Sequence, residues 1–137
     1  MGISIEMTKA FMDTKGMKYE EIDNGNGLIV GIGGLKNKGS VDSYVFFVDE
    51  SSVTLKVFDV CQIPEGKREI MFKVCSQMNE QFRWVKFYVD KQALRIVASD
   101  DAVIQPDSCG EEIFGLLLRM ANVIDAAYPH FMQAMWS

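Results

Sequence analysis

Apolar residues recur along this chain with two spacings, one typical of helices and one typical of strands. The helical spacing of three and four residues is clearest in the middle of the chain, after Pro64. Proline is well tolerated in the first turn of a helix, because the N–H that it lacks would have no partner there. The pattern predicts an amphipathic helix whose inner stripe is formed by Met71, Val74, Cys75, Met78 and Phe82.

Two further helices are predicted near the ends of the chain. The first has Ser4 as its cap and ends at Gly16. The last begins at Ser108, and the spacing between Ser108 and Glu111 is that of a capping box. Pro129 disfavours helical geometry in the residue before it, so it is expected to end or kink this helix. The residues expected to face inward are Ile3, Met7, Ala10 and Phe11 in the first helix and Ile113, Leu117, Met120, Ile124 and Ala127 in the last.

Segments rich in β-branched and aromatic residues, several of them alternating between apolar and polar positions, predict strands. Short turns such as residues 24–27 connect most of them, so neighbouring strands should pair antiparallel. The predicted order is α-β-β-β-β-α-β-β-α. It indicates an α+β fold of two layers, a mostly antiparallel sheet with helices packed on one face. We expect one domain over residues 1–137. The predicted strands are 18–23, 28–35, 43–49, 53–60, 84–89 and 94–99.

Charge and composition narrow the classes of partner. The net charge of −5 argues against nucleic acid and against an anionic membrane surface, because both attract basic patches. No apolar run reaches the ~18 residues of a membrane span, and the first residues do not have the pattern of a signal peptide. The cysteines, Cys61, Cys75 and Cys109, show neither metal-binding nor disulfide spacing. We therefore expect a cytoplasmic protein with reduced thiols.

No set of residues has the pattern of a catalytic, metal or cofactor site, so we expect a protein that is not an enzyme. The glycines in 31–34 do not lead into a helix, as a phosphate-binding loop would, and are expected to form a bulged strand. His130, the single histidine, is expected at the surface, and Asp100-Asp101 in a solvated turn. One alternative is open for Cys109. It lies at a predicted helix start, where the helix dipole can lower a thiol pKa and favour redox sensing.

Three parts of the chain carry a resemblance to a known family. The first is Phe11–Tyr19, an opening helix that ends in glycine, with Met17 at a usually aromatic position. The second is Val74–Asp90, where a helix with a central asparagine runs into an Arg-aromatic-x-Lys-Phe strand. The third comprises Glu112–Arg119 and Asp125–Met132. Together they resemble the YbjN family of bacterial proteins, described as sensory transduction regulators. The resemblance covers nearly the whole chain. It implies a fold similar to type III secretion chaperones, often a homodimer, and a regulatory or chaperone-like role.

The clearest functional pattern is aromatic. If Val85, Phe87 and Val89 face the helices, the residues that alternate with them in segment 84–89 face the open side of the sheet. Apolar patches on such a face are typical of interaction surfaces, and aromatic residues are favoured as anchors. We therefore predict a non-enzymatic protein-binding module that forms a homodimer and binds an unidentified protein partner, through the open sheet face or through a groove between helices. The predicted interface residues are Tyr44, Phe46, Phe58, Trp84, Lys86 and Tyr88.

An alternative prediction is a small-molecule sensor. Its pocket would lie between the sheet and the helices that carry Met71, Met78 and Met120. Methionine is flexible and lines adaptable binding sites, although it is equally common as core filling. Neither prediction requires a metal or a cofactor.

Overall fold

The computed structural model describes residues 2–137, and the elements occur in the predicted order. Within this range there are three α-helices, a six-stranded sheet and a short 3₁₀ turn, Asp23–Gly25. The helices are α1 (Ile3–Thr14), α2 (Arg68–Gln81) and α3 (Cys109–Met135). The strands are β1 (Tyr19–Ile22), β2 (Gly27–Leu35), β3 (Gly39–Asp49), β4 (Ser52–Gln62), β5 (Lys86–Asp90) and β6 (Arg95–Val103).

The sheet is antiparallel throughout, in the order β1-β2-β3-β4-β6-β5. The β5–β6 hairpin joins the rest of the sheet through β6, so β5 becomes an edge strand. The expected bulge in the glycine-rich strand is confirmed, because the pairing of β2 with β3 shifts register between Ile32 and Leu35. Gly34 lies in that interval with a φ of +72°, a conformation that glycine adopts without strain.

The core lies between one face of the sheet and the helices. The long helix α3 packs against β2, β3, β4 and β6, and α2 packs against β5. The predicted inner stripes of α2 and α3 are confirmed, with Phe82 only partly buried. The largest side chains in the core include Phe87 on β5 and Phe131 on α3, whose ring centroids lie 5.2 Å apart. The architecture is the predicted α+β two-layer fold.

The predicted inner face of α1 is wrong. The buried residues of this helix are Ser4, Ile5, Thr8 and Met12, whereas Ile3 and Met7 are exposed. The buried hydroxyls have partners. Thr8 Oγ1 donates to the carbonyl oxygen of Ser4 at 2.8 Å, and Ser4 Oγ donates to a carbonyl oxygen in the β3–β4 turn at 2.6 Å. Small side chains with satisfied hydroxyls allow α1 to pack closely against α3.

The helix starts also differ from the predicted caps. The residue before α1 is Gly2, and the carboxylate of Glu50 accepts a hydrogen bond from the Ser4 backbone N–H at 2.7 Å. At α3, Ser108 Oγ bonds to Glu112 rather than capping the backbone, and Glu112 Oε1 accepts from the Gln105 N–H at 2.9 Å. In both places, acidic side chains satisfy N–H groups at or near the start of a helix.

Pro129 neither ends nor breaks α3, which continues to Met135. Proline has no N–H, so the carbonyl oxygen of Asp125, four residues earlier, loses its partner within the helix. Asn37, at the tip of the β2–β3 hairpin, donates its side-chain N–H to this oxygen at 3.0 Å. The Asp125 carboxylate accepts the backbone N–H groups of Asn37 and Lys38 at 2.8 and 2.7 Å. The hairpin tip therefore supplies a hydrogen bond that the proline removes.

Candidate functional site

Three aromatic side chains lie together on the face of the sheet that the helices do not cover. Tyr44 and Phe46 come from β3, and Phe58 comes from β4. The rings of Tyr44 and Phe58 meet edge to face with centroids 4.9 Å apart, and those of Tyr44 and Phe46 are 6.2 Å apart. All three side chains are partly exposed. Edge-to-face pairs of this kind favour a preferred orientation of each ring.

The cluster continues across the sheet to β5. Lys56 Nζ donates a hydrogen bond to the Tyr88 hydroxyl at 2.9 Å and lies 5.2 Å from the centre of the Tyr88 ring. Val97, which pairs with Tyr88, is 1% exposed although it does not belong to the main core. The Arg95 guanidinium lies 6.0 Å from the Phe58 ring. We call Tyr44, Phe46, Phe58 and Tyr88 the aromatic face.

Two of the predicted interface residues lie outside the aromatic face. Trp84 precedes β5 with a φ of 74°, and this left-handed conformation breaks the alternation on which the prediction relied. The guanidinium groups of Arg83 and Arg119 lie 5.2 and 4.9 Å from the centre of its ring. Lys86 extends its ammonium group to α2, where it donates to the carbonyl oxygens of Asn79 and Phe82. A cation is favourable there, because the last carbonyls of a helix carry partial negative charge.

Asp100 and Asp101 do not form the expected solvated turn, because β6 continues through them. The Asp100 side chain is 2% exposed, and one carboxylate oxygen lies 2.7 Å from Nη2 of Arg119. Asp101 points to the opposite face, where it accepts a hydrogen bond from the Thr54 hydroxyl at 2.6 Å. Each carboxylate has its own partner, and the two do not converge on a shared site.

The pocket that the sensor alternative requires is not formed by its three methionines. Met71 and Met120 are 0% exposed, and Met78 is 2% exposed. All three belong to the same core cluster. They act as packing residues and form no wall of a pocket open to solvent.

The cysteines have the environments of structural residues. Burial raises the pKa of Cys61 and of Cys75 to about 12, so both thiols stay protonated at neutral pH. Cys109 does begin α3, as expected, but it is 0% exposed and its thiol donates to the Ser4 carbonyl oxygen at 3.2 Å. The redox alternative for Cys109 therefore lacks solvent access.

The described residues show no assembly suited to metal binding. Within 2–137, no group of three or more histidine, cysteine and acidic side chains is placed to hold an ion. His130 is exposed on α3. No helix in the same range is both long and apolar enough to span a bilayer.

Comparisons with known proteins identify a solved structure with a similar fold and the family of this chain. A solved structure of YbjN from E. coli, titled "a putative transcription regulator", is similar over 92% of each chain, with a TM-score of 0.62 and 15% identity. That likeness shows a shared fold. No curated protein sequence matches the chain significantly. The family model named YbjN, "putative bacterial sensory transduction regulator", matches residues 4–122. The chain therefore belongs to the YbjN family, as its sequence motifs indicate.

Proposed function

We propose that this chain is a non-enzymatic protein-binding module with a regulatory role, and that the aromatic face is its contact surface. The observation that carries the proposal is the group of partly exposed aromatic rings on a sheet face without a helix over it. The regulatory role follows the description of the family.

Aromatic residues are well suited to this task. A partner that covers the cluster would remove large apolar area from water, and Tyr44 and Tyr88 would keep a hydroxyl for hydrogen bonding. Because the rings already support one another, little side-chain entropy would be lost on binding. Lys56 and Arg95 lie beside the rings, and Asp42 and Asp101 lie on the same face, so the rim carries charges of both signs that could pair with a partner.

The test compares a double variant, Tyr44→Ala with Phe58→Ala, with the wild type and with Trp136→Ala. Trp136 is a suitable control because it is 79% exposed but follows α3, in the helical layer. Light scattering measures whether the partner is a second copy of this chain, the homodimer expected from the resemblance. Quantitative pull-down from a bacterial lysate measures binding to other proteins.

We expect the double variant to lose self-association or to lose captured proteins that the Trp136→Ala control retains. Circular dichroism must show that the double variant is folded, since removing Phe58 also exposes part of the sheet. A single variant that places a charge within the cluster, Phe46→Lys, provides a second test, and its folding is checked in the same way because the Phe46 ring packs against Tyr44. If all these variants associate and capture proteins as the wild type does, the aromatic face is not the contact surface.

A further inference from the structure

The outer edge of β6 is only partly paired. Residues 95–99 of β6 pair with β5, but β6 continues to Val103. Among residues 2–137, no strand pairs with 100–103 on that side. The interruption occurs at Trp84, where the positive φ turns the chain away from the line that β5 would otherwise follow.

The direction of the free backbone groups follows from one hydrogen bond. The N–H of Ile104 donates to the carbonyl oxygen of Ser51 at 2.8 Å, on the β4 side. Backbone groups alternate in direction along a strand, so the N–H and C=O groups of Val103 and Asp101 point to the opposite, unpaired edge. An edge that presents such groups is a template for another strand.

A cleft of about 660 Å³ adjoins this edge. Its lining combines Trp84 and residues 101–103 with Leu116 and Arg119 of α3, and it extends over the neighbouring strands to residues 52–54 and Val48. Val103 is 76% exposed and Trp84 is 57% exposed. Arg119 forms an ion pair with Asp100 and lies against the Trp84 ring, so these contacts support one wall of the cleft. The site therefore combines free backbone groups with an apolar surface beside them.

We propose that the free edge of β6 binds an extended peptide segment of a partner protein, which adds to the sheet as a strand beside residues 100–103. Backbone hydrogen bonds would provide affinity, and alternate side chains of the peptide would enter the cleft between Trp84 and Leu116. The peptide should therefore carry apolar residues at alternate positions. This contact differs from one at the aromatic face, because the peptide would pair with the backbone of a strand edge and none of the four aromatic residues lines the cleft.

The length of the edge favours a peptide over a second copy of the chain. Four residues span about 13 Å of strand. A stable dimer usually buries about 800 Å² on each partner, which is more than so short an edge offers. A single extended segment needs only this length of edge and the neighbouring cleft.

The experiment uses random twelve-residue peptides displayed on phage and selected on the full chain. Synthetic copies of the selected peptides are then titrated against variants by fluorescence anisotropy. Val103→Pro removes the outward N–H and leaves the hydrogen bonds to β4 in place, as proline on an edge strand allows. Val103→Thr keeps this N–H and is the matched control. Trp84→Ala removes a cleft wall, and Trp136→Ala is its control.

We expect selected peptides with alternating apolar residues, and binding weakened about tenfold or more by Val103→Pro and by Trp84→Ala. Val103→Thr and Trp136→Ala should bind nearly as the wild type does. Amide hydrogen exchange of the wild type, measured with and without peptide, gives a test that does not depend on whether the variants fold. The amides of Asp101 and Val103 should exchange more slowly when peptide is bound. The proposal is overturned if no peptide is selected, if Val103→Pro binds the peptides normally, or if these amides are not protected.

Discussion

Two glycines of α3 should respond in opposite ways to the same substitution. A Cβ atom built on Gly110 would lie 2.5 Å from Cβ and 2.8 Å from Cγ of Phe11 on α1. A Cβ atom on Gly115 would have no neighbour within 4 Å. Gly110→Ala therefore tests the close contact between α1 and α3, and Gly115→Ala measures the intrinsic effect of alanine in the same helix.

The contact at Gly110 cannot be relieved by rotating a side chain, because Phe11 Cβ is attached directly to the backbone. Carbon atoms pack at about 3.5–4.0 Å, so α1 would have to move outward by about 1 Å. That movement would disturb the contact between Phe11 and Phe114, whose ring centroids are 6.1 Å apart. Overpacking of this kind costs about 1–3 kcal/mol. At the exposed Gly115, alanine should instead stabilise the helix by about 0.5–1 kcal/mol.

Urea unfolding followed by circular dichroism measures both effects. We expect the urea concentration at the unfolding midpoint to fall for Gly110→Ala and to rise for Gly115→Ala. The slope of the unfolding free energy against urea concentration should stay unchanged. The packing of α1 described above would be refuted if Gly110→Ala were as stable as the wild type or more stable. It would also be refuted if both substitutions shifted the midpoint equally.

Two further predictions concern hydrogen bonds that join distant parts of the chain. Pro129→Ala should stabilise the protein by up to about 3 kcal/mol. Asn37→Ala alone should lower the stability by about 0.5–1 kcal/mol. The effect of Asn37→Ala should be smaller in the double variant, because the Asp125 carbonyl then has a partner within the helix. Urea unfolding of the double variant checks this coupling, and strictly additive effects would contradict it. The second prediction concerns acid. The hydrogen bond from the Ser4 N–H holds the pKa of Glu50 below its ordinary value of 4.5, so the carboxylate stabilises the fold above that pH. This stabilisation is lost as the pH falls through the lower, folded-state pKa. Thermal melts between pH 6 and pH 2, about the range of carboxylate titration, measure how far acid lowers the melting temperature. This decrease should be smaller for Glu50→Gln than for the wild type, and equal decreases would count against this role of Glu50.

The aromatic face could be predicted in part because strand alternation is a local rule. Tyr44, Phe46, Phe58 and Tyr88 lie on extended strands, where successive side chains point to opposite faces, and the structure places these four residues on one surface. Trp84 lies just before its strand in a left-handed conformation, so the rule does not apply to it. The same alternation places Val97 on this face, but its burial opposite Tyr88 depends on the neighbouring strands and has no local signal.

The unpaired edge of β6 was missed for a related reason. Two adjacent aspartates are typical of a turn, so the strand was predicted to end before them. The structure continues the strand because Arg119 neutralises Asp100 on one face and the Thr54 hydroxyl bonds to Asp101 on the other. Neither partner is close to these aspartates in sequence, so no local pattern could have indicated them.

The sequence by itself determined the order of helices and strands, the antiparallel pairing, and the inner faces of α2 and α3. These features depend on hydrophobic period and on short turns, which act over a few residues. Only the tertiary structure decided that β6 lies between β4 and β5, that α1 buries Ser4 and Thr8, and that α3 continues through Pro129. Each of these outcomes depends on contacts with residues far away in the chain. For Ser4 and for Pro129, the physical reason is that a buried hydroxyl or a carbonyl without a helical partner is tolerated where a distant residue, Glu50 or Asn37, forms the hydrogen bond.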